Sequence, residues 1–189
     1  MGALPARENP EKDCPLRRGP VSSAPLMKTA ALLIALFIIS PFSTALRAET
    51  LAEMAAKAGT DWMIGKWTSE DGNVSVSYEW KLNKNAVGFT FKMGERESEG
   101  MFMRKPGTGQ VIYGAADNKG GMSTGHWIEF NGNPTLIATH TNAEGTERKM
   151  ATEHIKTDDK TMTVKLYAVG SDGKPDASQS REVVFKRQP

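Results

Sequence analysis

The chain has 189 residues, 39% of them hydrophobic and 24% charged, with a formal net charge of +2. That size and balance fit one domain plus a short extra segment, and they exclude a disordered tail protein or a nucleic-acid-binding arm. From Glu49 onward there are 18 Lys and Arg against 19 Asp and Glu, and the single cysteine, Cys14, lies earlier. The later part is therefore near neutral, with no disulfide, no thiolate chemistry and no Cys-based metal site.

Residues 1–26 are rich in Pro, Arg and Gly, without periodicity, and read as a disordered leader. Residues 27–48 have the anatomy of a signal peptide. Lys28 supplies the positive start, residues 30–39 form an uninterrupted apolar run, and Pro41 breaks it before small residues suited to cleavage. Because this segment is complete from Met27, translation is expected to begin there. The apolar run is too short to span a bilayer, which takes about 20 residues. The expectation is an exported protein, periplasmic or secreted, with no stable membrane insertion after cleavage.

Residues 49–60 read as a short helix and linker, with Leu51, Met54 and Ala55 on one face and Gly59 as the stop. From residue 61 to 189 the texture is that of strands. Val74, Val76, Tyr78, Trp80 and Leu82 alternate with polar residues; after a turn, Val87, Phe89, Phe91 and Met93 do the same. Folding about that turn pairs Leu82 with Val87, Trp80 with Phe89 and Tyr78 with Phe91. Further strands are expected at 66–70, 100–105, 110–116, 123–130, 135–141, 147–157, 161–169 and 181–187, separated by Gly, Pro, Asn and Asp clusters. No helix of crossover length lies between them. The expected fold is all-β: a single antiparallel up-and-down β-barrel of about eight to ten strands, preceded by a short helix and the signal segment.

Gly65-Lys66-Trp67 opens the first strand just after the short helix. It resembles the Gly-x-Trp of the calycins, the superfamily of lipocalins and fatty-acid-binding proteins. The resemblance implies that Trp67 plugs one barrel end and that a basic residue of the last strand, Arg187 or Arg181, packs on it. The wider pattern includes Asp61-Trp62, residues 79–85, Gly120-Gly121, Gly125-His126-Trp127 and residues 181–187. It is similar to a group of exported bacterial lipocalin-like domains to which no activity is assigned. Calycin-like haem proteins, the nitrobindins, place an iron-ligating histidine near the C-terminus. The final strand here has none, and no cofactor is expected.

Tyr78, Trp80, Phe89 and Phe91, with strand methionines such as Met101 and Met103, could line a cavity for a small apolar ligand. Folding the 123–141 hairpin about Asn133 would bring His126 and His140 together on the inner face, as acid/base groups or metal ligands. Trp127, on the face opposite His126, would be an outer contact for a partner protein, and pairing Ile155 with Met162 would point His154 outward and Glu153 inward. Glu95, Glu97 and Glu99 read as a charged, aggregation-resistant strand edge. No phosphate loop, nucleophile elbow, zinc-protease helix or calcium loop is present in the sequence. Three functions are therefore open. They are a barrel binding a small hydrophobic ligand, a small-molecule enzyme or metal- or haem-binding barrel using His126 and His140, and an interaction protein using the outer wall. Oligomeric state is left open.

Overall fold

The computed structural model describes residues 49–189; the expected leader and signal segment lie outside the described residues. Helix α1 (Leu51–Lys57) and a 3-10 turn (Asp61–Met63) precede ten strands. These are β1 (Gly65–Ser69), β2 (Val74–Lys81), β3 (Ala86–Met93), β4 (Arg96–Arg104), β5 (Val111–Asp117), β6 (Met122–Phe130), β7 (Asn133–Thr141), β8 (Glu147–Lys156), β9 (Thr161–Ala168) and β10 (Arg181–Arg187). Each pairs antiparallel with the next, and β1 closes the ring on β10 with Trp67 opposite Arg187. The up-and-down all-β barrel expected from the alternation is the fold observed, and it fits a calycin-like architecture. Glu97 and Glu99 do not mark an edge. β4 is paired on both sides, and Glu97 lies across from Lys92, 2.7 Å away.

Strand alternation sends one residue in two into the barrel, where the apolar set converges. Tyr78, Phe89, Phe102 and Tyr113 stack and tilt against one another at centroid distances of 5.1–6.0 Å, and Trp127 meets Phe102 at 5.3 Å. This aromatic layer fills the middle of the barrel. One end, beyond it, carries α1 and the loops after β2, β4, β6 and β8; the other carries the loops after β1, β3, β5, β7 and β9.

The calycin-like lock stands at the α1 end. Trp67 is 1% exposed and its indole N–H donates to the Met63 carbonyl at 2.8 Å. The Arg187 guanidinium lies 4.2 Å above the ring and donates to the carbonyls of Ile64 and Trp62. Gly65 has φ +135, and a Cβ there would come 2.5 Å from Arg187 Nη1. Only glycine both adopts that backbone and leaves room for the arginine. Arg187, and not Arg181, is the partner.

Two hairpin registers differ from those expected, with opposite consequences. In β2–β3, Trp80 faces Val87 and Tyr78 faces Phe89. The residues Leu82, Asn83 and Lys84 all have positive φ and use up Leu82 as a turn residue. The shift is two places, so inward residues stay inward. In β6–β7, Asn131 and Gly132 have φ of 53 and 76 and form a two-residue turn with Phe130 opposite Asn133. Positive φ at both central positions is the type I′ hairpin that Asn-Gly favours. The expected turn about Asn133 is displaced by an odd number of places, which exchanges the two faces of the strand.

Candidate functional site

A cavity of about 410 Å³ opens at the α1 end of the barrel. Its wall is Tyr78, Trp80, Val87, Phe102 and Trp127 from the strands; Leu51, Met54 and Ala55 of α1 and Met63 and Ile64 of the 3-10 turn roof it. Its polar side chains are few: Thr60, Tyr78, Gln110, Glu129 and Asn133. Such a concave, apolar space with sparse polar groups is the usual form of a small-molecule site.

The helix is set there by its own sequence. Thr50 Oγ1 accepts the Glu53 N–H at 3.2 Å while Glu53 Oε2 accepts the Thr50 N–H at 2.7 Å, a capping box that satisfies two helix-end donors. Arg104, on the inner face of β4, donates to the Glu49 carbonyl at 3.0 Å and ties the start of the helix to the barrel. Gly59, φ +64, ends the helix, with its N–H donating to the Ala56 carbonyl at 3.1 Å.

Below the cavity lies a polar pair that sequence reasoning misplaced. His154 is 4% exposed and faces inward, with its ring 5.1 Å from Trp127 and Nε2 3.2 Å from Tyr78 Oη. Burial pushes its pKa down to about 4, and burial also raises the Tyr78 phenol well above its usual range. Both groups are therefore neutral at pH 7. The carbonyls of Pro134 and Thr152 favour a proton on the ring, yet neither is placed for a full hydrogen bond and Nδ1 has no partner. The expectation of an outward His154 fails because β8 pairs with β9 one place away from the expected register, with Lys156 and not Ile155 opposite Met162. For the same reason Glu153 is on the outer wall. It is 2% exposed and accepts from Tyr167 Oη at 2.6 Å and Asn133 Nδ2 at 2.9 Å.

The other expected site residues separate by face. Tyr78 and Trp80 line the cavity. Phe89 and Phe91 are inside but pack on the core below it. Met101 and Met103 are on the outer wall, 37% and 38% exposed, because Phe102 between them is the inward residue. His126 faces out and Trp127 in, the reverse of the expectation, through the Asn131-Gly132 turn. That removes Trp127 as an outer contact surface.

His140 does face inward, toward the opposite barrel end, and its neighbour is not His126. Ser123 Oγ lies 3.1 Å from its Nδ1, and Arg96 Nη2 lies 3.1 Å from its Nε2 and 2.8 Å from Asp117 Oδ2. A guanidinium can only donate, so Nε2 accepts and the ring proton sits on Nδ1, aimed at Ser123. An imidazole held this way cannot take the serine proton, so the Ser–His–Asp grouping is not an activated nucleophile in this arrangement. Among the described residues, no group of three or more His, Cys, Asp or Glu could hold a metal ion.

No family model matches the chain, and no curated protein matches it significantly. Among solved structures it is similar to one described as "Structure of EF1p2_mFAP2b bound to DFHBI", with 15% identity over 71% of this chain and 97% of that chain and a TM-score of 0.27.

Proposed function

We propose that this protein is an exported barrel that binds a small, mainly apolar molecule in the cavity under α1. The single observation that carries the reading is the cavity itself: about 410 Å³, walled by Trp80, Val87, Phe102 and Trp127 and roofed by an amphipathic helix. A packed barrel core needs no such space, since voids larger than a water molecule are few in protein interiors. The neutral Tyr78–His154 pair beneath it offers one hydrogen-bonding position to an otherwise greasy ligand.

Two tryptophans in the wall make the test direct. Titration with the neutral dye Nile red should give saturable one-to-one binding and quench the tryptophan emission. Ala55→Trp, which fills the cavity from the helix side without replacing a strand residue, should weaken binding about tenfold or more while the barrel still melts cooperatively. Undiminished dye binding by that variant, or no saturable binding by the parent, would sink the reading.

A further inference from the structure

Among the described residues there are five arginines, and the barrel register turns all five inward: Arg96, Arg104, Arg148, Arg181 and Arg187. Every strand lysine except Lys156 is turned outward. Arg104 and Arg187, at the α1 end, are occupied by the Glu49 carbonyl and the Trp67 lock. The remaining three stand around the opposite mouth, at the first turns of β4, β8 and β10.

Each of these three sits beside glutamate in the chain: Glu95-Arg96-Glu97, Glu147-Arg148 and Arg181-Glu182. Alternation separates the charges. The arginines go to the inner face, whereas Glu97, Glu147 and Glu182 go to the outer wall, and Glu95 is in the turn, 3.8 Å from Lys119. Glu97 and Glu182 there face Lys92 and Lys165. A locally neutral sequence thus becomes a barrel mouth ringed by three guanidinium groups.

Among the inward-facing strand residues at this mouth the one acid is Asp117, and it is already committed; Glu70, Asp71, Glu144, Asp172 and Asp176 lie in the loops around it. Its carboxyl is 4% exposed, accepts the Gly121 and Lys119 N–H groups at 2.8 and 3.0 Å, and takes Arg96 Nη2 at 2.8 Å. The Gly121 amide first, and then Arg96, hold it below its usual range. Arg96 spends only Nη2 on the protein, and Arg148 and Arg181 form no ion pair and are exposed. Neutral donors stand beneath them: the Ser123 hydroxyl beside His140, and the Tyr113 phenol, which burial pushes up to about 12. The aromatic layer separates this mouth from the cavity under α1.

We propose that this mouth is a second site, one that grips the oxyanion of a phosphate group with Arg96, Arg148 and Arg181. Guanidinium forks match such groups through paired N–H donors, and three guanidinium charges that the single carboxylate of Asp117 offsets only in part attract them. The phosphate could be free or the head of an amphiphile, and the two sources are separable. Titration of the full chain with inorganic phosphate, and separately with octyl phosphate, should shift the amide resonances of Arg96, Gly121, Ser123 and His140. Saturation by inorganic phosphate assigns the site to free anions; saturation by octyl phosphate alone assigns it to the head of an amphiphile. Arg148→Gln/Arg181→Gln, both exposed and without an ion pair among the described residues, should fold normally and bind about tenfold more weakly or worse, whereas Arg148→Lys/Arg181→Lys, which keeps the charge and loses the fork, should fall between that variant and the parent. Added chloride should weaken binding through screening. The proposal is overturned if neither phosphate gives a saturable shift, or if the double glutamine variant binds as the parent does.

Discussion

At pH 7 the His154 ring is neutral between Tyr78 and Trp127, and this ties the stability of the barrel to acidity. Its pKa in the folded protein is lowered from 6.5 to about 4. The unfolded chain therefore takes up a proton first as pH falls, and the folded state loses stability between those values at up to about 1.4 kcal/mol per pH unit. Above pH 6.5 neither state holds the proton and the effect vanishes. Urea unfolding at pH 7 and pH 5 should show the parent losing about 2 kcal/mol more than His154→Gln over that interval. Equal losses would mean that the ring is protonated in the fold. The Trp67–Arg187 contact makes a different demand. It combines stacking on the indole with two forked carbonyl bonds, a geometry that lysine cannot copy.

At the level of elements, α1 is the part most easily loosened. It has seven residues, too few to be helical alone, and it stays in place through its capping box, the Arg104 tie and the apolar face over the cavity. Thr50→Ala removes the cap and should cost about 1 kcal/mol locally. Hydrogen exchange should quicken about fivefold in residues 51–57 and leave the strands unchanged. Strands were readable from period-two alternation, and the inward faces of β2 and β3 came out correctly even though their register is two places off. β6 and β8 did not, and each for a local reason. In β6 the turn falls at Asn131-Gly132 and not at Asn133, within a run of turn-forming residues whose composition does not fix the centre. In β8 both Glu153 and His154 are buried, so no alternation of polar and apolar residues marks which side faces in.

At the scale of the whole molecule, closure of β1 on β10 does two things. It removes every sheet edge, and it converts the order of residues along a strand into an inside and an outside. The cavity under α1 was only half legible for that reason. Tyr78 and Trp80 could be read from one strand, but Leu51, Met54 and Trp127 join them through contacts distant in sequence. The arginine ring was hidden altogether, since its charges cancel against neighbouring glutamates until the strands pair.

Closure also sorts the methionines. Met101, Met103 and Met122 stand on the outer wall, 37%, 38% and 61% exposed, and Met93 at the barrel mouth is 40% exposed, whereas Met162 is 0% and Met63 7% exposed. An oxidant in the surrounding medium meets the thioethers of the first group while those of the second are sealed from it. Mild peroxide treatment followed by mass mapping should therefore convert Met93, Met101, Met103 and Met122 to sulfoxides, leaving Met63 and Met162 intact and the melting temperature unchanged. The barrel would carry its sacrificial sulfur where chemical damage does no structural harm.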